Sequence, residues 1–140
     1  MRTPRVACGL LAIVLLASGC GPTRRHQLAV TSQVVASSLF AVQDAEEALF
    51  AAQRITPAQH KSFNQKLVPA LELGRAFNQA VRGWDPGTPV PDQLVKLKAA
   101  MLALAGELSL GYPADVQAQL LALINATYDA IVAVLLAGGQ

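Results

Sequence analysis

Thiol and imidazole are almost missing from this chain, which has two cysteines and two histidines in 140 residues. Cys8 lies within an N-terminal apolar run and Cys20 four residues after its end, so the body of the sequence holds no further thiol for a disulfide, a redox centre or a metal. A structural zinc site takes about four nitrogen or sulfur ligands and a catalytic one about three. His26 and His60 cannot supply either set. Glycine-rich phosphate loops, nucleophile elbows and metalloprotease helices are absent, and so are alternating strand patterns and internal repeats. Such a shortage of residue types argues against an enzyme, a metal site or a cofactor.

Carboxylates are the remaining route to chemistry. Glu46 with Glu47, Glu72, Glu107 and Asp129 fall one group per helical segment, as in bundles that hold two iron ions. Those sites also need a Glu-x-x-His pair on each of two helices, and the sequence has none. These acids are therefore expected on solvated faces. His60 is expected to be exposed, with Ser62, two residues on, facing elsewhere.

What the sequence does contain begins at its N-terminus. Arg2 and Arg5 precede an apolar stretch of eleven residues, Val6 to Leu16, followed by the small residues Ala17, Ser18 and Gly19. That order reads as a secretory signal peptide, too short to span a bilayer. The run Leu15-Leu16-Ala17-Ser18-Gly19-Cys20 resembles the lipobox of bacterial lipoproteins, with Ala17 at a position where leucine is more usual. The resemblance implies that the Cys20 thiol carries lipid and that the chain is cut between Gly19 and Cys20. It also implies a place in the bacterial cell envelope: in a Gram-negative cell Gly21 after the cysteine favours the outer membrane, and in a Gram-positive cell the protein stays on the outer face of the cytoplasmic membrane. Two or three acyl chains, at about 0.8 kcal/mol per buried methylene, form a stable anchor. The resemblance covers residues 1–22 and names a processing class, not a function.

Cleavage would leave 121 residues with nine basic and nine acidic side chains, a formal net charge of zero. A neutral domain lacks the basic face that nucleic acid requires. A tether over residues 20–27 would place Arg24 and Arg25 beside headgroups, each worth about 1 kcal/mol against anionic lipid.

Helical periodicity fills the remainder, with spans predicted at about 28–55, 57–83, 91–110 and 113–137. Leu28, Val35, Leu39, Val42 and Leu49 mark the first apolar stripe. Thr56, Pro57 and Gln59 form a capping-box signature that opens the second helix. Phe63, Leu67, Leu71, Phe77 and Val81 line that helix, Pro69 should kink it, and Gly74 marks a close helix approach. The third stripe is Leu94, Leu97, Met101, Leu104 or Ala105, and Leu108, with Asp92 placed to pair with Lys96. The fourth is Val116, Leu120, Leu123, Thr127, Ile131 and Val134. Four helices joined by short turns predict an all-α, up-and-down antiparallel four-helix bundle, its last two helices shorter than its first two.

Two features bear on function. Leu120 to Gly138 is apolar enough to approach a transmembrane reading, but Asn125 and Asp129 interrupt it and a buried bundle helix is expected. Trp84 begins a loop with three prolines and two glycines. Exposed, it would anchor a partner together with Asp85, Pro86 and Val90; folded inward, it would cap the core. The sequence favours a lipid-anchored helical module that binds another protein or itself, without catalysis. A membrane-perturbing lysis, exclusion or toxin factor, or a carrier of an apolar ligand in a cavity near Gly74, Gly106 and Pro69, are the alternatives.

Overall fold

The computed structural model describes residues 23–138. Over that range the chain forms four helices: α1 (Arg24–Ala51), α2 (Pro57–Arg82), α3 (Asp92–Leu108) and α4 (Ala114–Gly138). Each helix packs against two neighbours, in the ring α1–α2–α3–α4, and the backbones of diagonal helices stay apart. No strand occurs among the described residues. This is the up-and-down four-helix bundle that the periodicity predicts.

The first helix begins and ends four residues earlier than its pattern suggests. Arg24 and Arg25 are helical, so the described tether shrinks to Thr23. At the other end Gln53 takes a left-handed φ of 57°. Its amide donates to the Phe50 carbonyl, and that of Arg54 reaches back to Leu49. These paired bonds form a Schellman stop, here with glutamine where glycine is usual. The early stop frees Ile55 to turn into the core. Thr56 and Gln59 then cap α2 reciprocally, with bonds of 2.9 and 3.2 Å.

The predicted stripes build the core with local changes. Leu104, not Ala105, is fully buried in α3, and Ile124 replaces Leu123 as the core residue of α4. Of the last two helices only α3 is short, at 17 residues against 25 for α4. Residues 83–91 cover the bundle end that α3 leaves open. Trp84 folds inward there, only 6% exposed, and its Nε1 donates to the Pro89 carbonyl at 2.9 Å. Asp92 and Lys96 form no ion pair.

Helix α1 meets α2 closely at Gly74, where an added Cβ would lie 2.8 Å from Leu39 Cδ1. Packing there is dense, so no internal cavity opens at this glycine. Gly106 is exposed and faces open space. Pro69 sits on the exposed side of α2, which continues through it.

Helix α4 is the one helix among the described residues long and apolar enough to cross a membrane, and 22% of its most apolar stretch is buried. Val116, Leu120, Ile124 and Ile131 nevertheless complete the core, with Thr127 donating to the Leu123 carbonyl at 3.0 Å. Its outer face is largely alanine: Ala118, Ala122, Ala126, Ala133 and Ala137 are exposed.

Candidate functional site

Polar chemistry concentrates at the bundle end formed by the α1–α2 and α3–α4 turns. The two turns are clasped together. Gln59 Nε2 donates to the Gly111 carbonyl at 3.1 Å, and the Tyr112 hydroxyl donates to the Gln59 carbonyl at 3.0 Å. Gly111 has a φ of +87°, a conformation that favours glycine. Arg54 and Asp115 make an exposed ion pair across the same junction, which holds the Asp115 carboxyl below its usual range.

Just inside this clasp sit two buried carboxylates, on either side of α2. Glu46 of α1 has no exposed surface, and Glu107 of α3 is 6% exposed. His60 Nδ1 lies 2.7 Å from Glu46 Oε1, and Asn64 Nδ2 donates to Oε2 at 3.4 Å. The His60 ring stacks on Phe50 with centroids 4.0 Å apart. On the opposite flank Ser62 Oγ donates to Glu107 Oε1, and Lys66 Nζ stands 3.9 Å from Oε2. Phe63 and Leu67 pass between the two flanks into the core.

These positions correct the sequence reading. Glu46 and Glu107 are not on solvated faces, and His60 is a partly covered partner of a carboxylate. Glu47, Glu72 and Asp129 are exposed as expected. The missed signal was periodic. Glu46 stands four residues after Val42 and three before Leu49, a core position in the stripe of α1. Burial of an acid there demands partners, and α2 supplies them.

Burial pushes the Glu46 carboxyl up from its ordinary value, against the opposing pull of His60 and then Asn64. The Tyr112 phenol is pushed up to about 12, first by burial and then by the charges of Glu107 and Glu46. Chemically, the arrangement encloses two acids and gives each its own polar partners, His60 and Asn64 for Glu46, and Ser62 and Lys66 for Glu107. Ser62 faces Glu107 rather than His60, so hydroxyl and imidazole do not form a relay. Among the described residues no three metal-ligating side chains converge.

Tyr112 gives a direct check. A phenol that stays protonated in the folded chain stabilises it below the ordinary value of 10.0, and that contribution is lost as pH rises through about 12. Tyr112→Phe should remove the latest step of the phenolate absorbance titration and cost about 1 kcal/mol through the lost hydrogen bond. A mutant titration superimposable on that of the wild type would contradict the burial of this hydroxyl.

The residues singled out for function in the sequence separate into two groups. Gly19 and Cys20 lie outside the described residues. At the bundle end opposite the clasp, Trp84 and Val90 turn inward against the core, which removes the tryptophan as an exposed anchor. Asp85 holds its own loop together, its Oδ1 accepting from the Gly87 amide at 3.0 Å. Pro86 alone of the four stays exposed without a bond of this kind. Arg24 lies 5.9 Å from the Trp84 ring centroid and Arg25 donates to the Arg82 carbonyl at 3.4 Å, so both arginines border this loop end.

The class defined by this architecture is an up-and-down four-helix bundle clasped at one end by its turns and covered at the other by a loop. No family model, curated protein or solved structure matches the chain.

Proposed function

We propose that the protein is a non-catalytic, lipid-anchored helical module of a bacterial cell envelope, held through Cys20, that presents the outer face of α3 to another protein. The supporting observation is an apolar row along α3 that continues into the turn after it at Leu110. Val95, Leu102 and Leu110 are 57%, 56% and 68% exposed, with Ala99, Ala103 and Gly106 exposed between them. Such a row on a bundle that has already closed its core is spare contact surface. Anchoring adds an orientation. Only residues 21–23 separate Cys20 from α1, about 10 Å of extended chain. An acylated Cys20 would therefore keep the Arg24–Arg25 end near the bilayer and the carboxylate end away from it.

Metabolic labelling with palmitate should mark the wild type and not Cys20→Ser. Unlabelled protein in the cytosol with its first nineteen residues intact would defeat the anchoring half. For the interaction half, a photo-cross-linker placed at Leu102 in living cells should give a saturable adduct of one defined mass, and the same probe at Glu72 should give none. Equal labelling from both positions, or none from either, would defeat it.

A further inference from the structure

The face between α1 and α2 carries a groove of about 400 Å³, lined by Ala36, Leu39, Phe40, Leu71, Gly74 and the polar row Arg75, Asn78, Gln79, Arg82. It continues into a second depression of about 230 Å³ reaching Arg25, Ser32 and Gln33. Asn78 and Arg82 line both. The first volume alone is in the range of small-molecule sites.

Its chemistry is graded along its length. Phe40 and Leu71 make one end apolar, and Phe40 is 47% exposed there. Arg25 and Arg82 stand together at the other end, the end bordered by Trp84. No carboxylate lines either part. Among the described residues, none comes within ion-pair distance of Arg25, Arg75 or Arg82. Arg25 and Arg82, two guanidiniums without acidic partners at the same end, favour an anion there, because a cationic fork binds phosphate through charge-assisted bonds. Ala29 and Ala36, small and only partly buried, keep the α1 wall of the groove low, while Leu39 packs over Gly74 to form its floor.

We propose that this groove binds one phosphate-headed acyl lipid. Arg82 and Arg25 hold the head, Asn78 and Gln79 flank the neck, and the chain runs over Ala36 and Leu39 to Phe40 and Leu71. The site uses only residues of the folded bundle and does not depend on acylation of Cys20. If Cys20 is acylated as proposed above, the head end of the groove opens toward the bilayer.

Calorimetric titration of the Cys20→Ser protein, which has no acyl chain of its own to occupy the groove, tests the site. The probe is dodecyl phosphate below its micelle threshold. It should bind once per chain, while dodecylphosphocholine and inorganic phosphate bind at least about tenfold more weakly. Arg82→Glu, at an exposed position, should weaken dodecyl phosphate roughly ten- to a hundredfold. Ala36→Leu, which fills the groove, should weaken it while leaving the helical circular dichroism unchanged. Equal affinity for the phosphocholine probe or for inorganic phosphate would overturn the proposal. Unsaturable binding, or an Arg82→Glu protein that binds as tightly as its parent, would do the same. The palmitate result is independent, so failure of the groove and failure of the anchor are told apart.

Discussion

Phe63→Ala should cost about 3–5 kcal/mol of folding stability, the range for emptying a buried aromatic site. Phe63 is fully buried in the second turn of α2. Its neighbours in sequence do the polar work of the site. His60 and Asn64 hold Glu46 on one flank, and Ser62 holds Glu107 on the other. A cavity at Phe63 therefore removes apolar contact and also loosens the backbone that positions both sets of donors. Urea unfolding should show a lower midpoint at nearly constant slope, the mark of lost stability without a changed denatured state. Val68→Ala, five residues on at a half-exposed position, should change stability by less than about 0.5 kcal/mol. Comparable losses at the two positions would contradict this account of the core.

His60→Ala has the next largest expected effect, about 3 kcal/mol at neutral pH, because it strips the closest partner from a fully buried carboxylate. It also removes the ring stacked on Phe50. The sign of the pH dependence follows from burial. Glu46 has a raised folded value, so its contribution to stability is greatest below the ordinary 4.5 and is lost as pH rises through the folded value. Removing His60, which pulls that value down, raises it further. The penalty of the substitution should thus be largest at neutral pH and shrink as pH falls toward 4.5. Glu46→Gln in the His60→Ala background should restore most of the loss at neutral pH, since a neutral amide leaves no buried charge. A penalty that grows on acidification, or no rescue by glutamine, would show that His60 matters only through its stack on Phe50.

Some elements were legible residue by residue. The capping box at Thr56 and Gln59 is local, needing only a hydroxyl and an amide three residues apart, and it formed as its signature required. Leu28, Val35, Leu39 and Val42 face the core because a helix has a fixed period. Gly74 marked a close approach because only a residue without a side chain fits beside Leu39.

Other features were not local. The stop of α1 at Ala51 carries no glycine or proline, and the left-handed Gln53 is stabilised by the reward of burying Ile55 beyond it. Trp84 has the same composition of neighbours whether it faces solvent or core. Its burial depends on α3 being short and on the Pro89 carbonyl returning to meet its indole nitrogen. Glu46 and Glu107 looked like ordinary surface acids because each one's partners lie on another helix.

The amino-acid order by itself determined the helices, their apolar faces and the neutral charge of the body, since each depends on period, propensity and composition within a few neighbouring residues. Only the tertiary structure decided which polar groups were enclosed and which guanidiniums came to share a groove. Those outcomes depend on contacts between helices distant in sequence, where a single position gains or loses a partner according to how its neighbours pack.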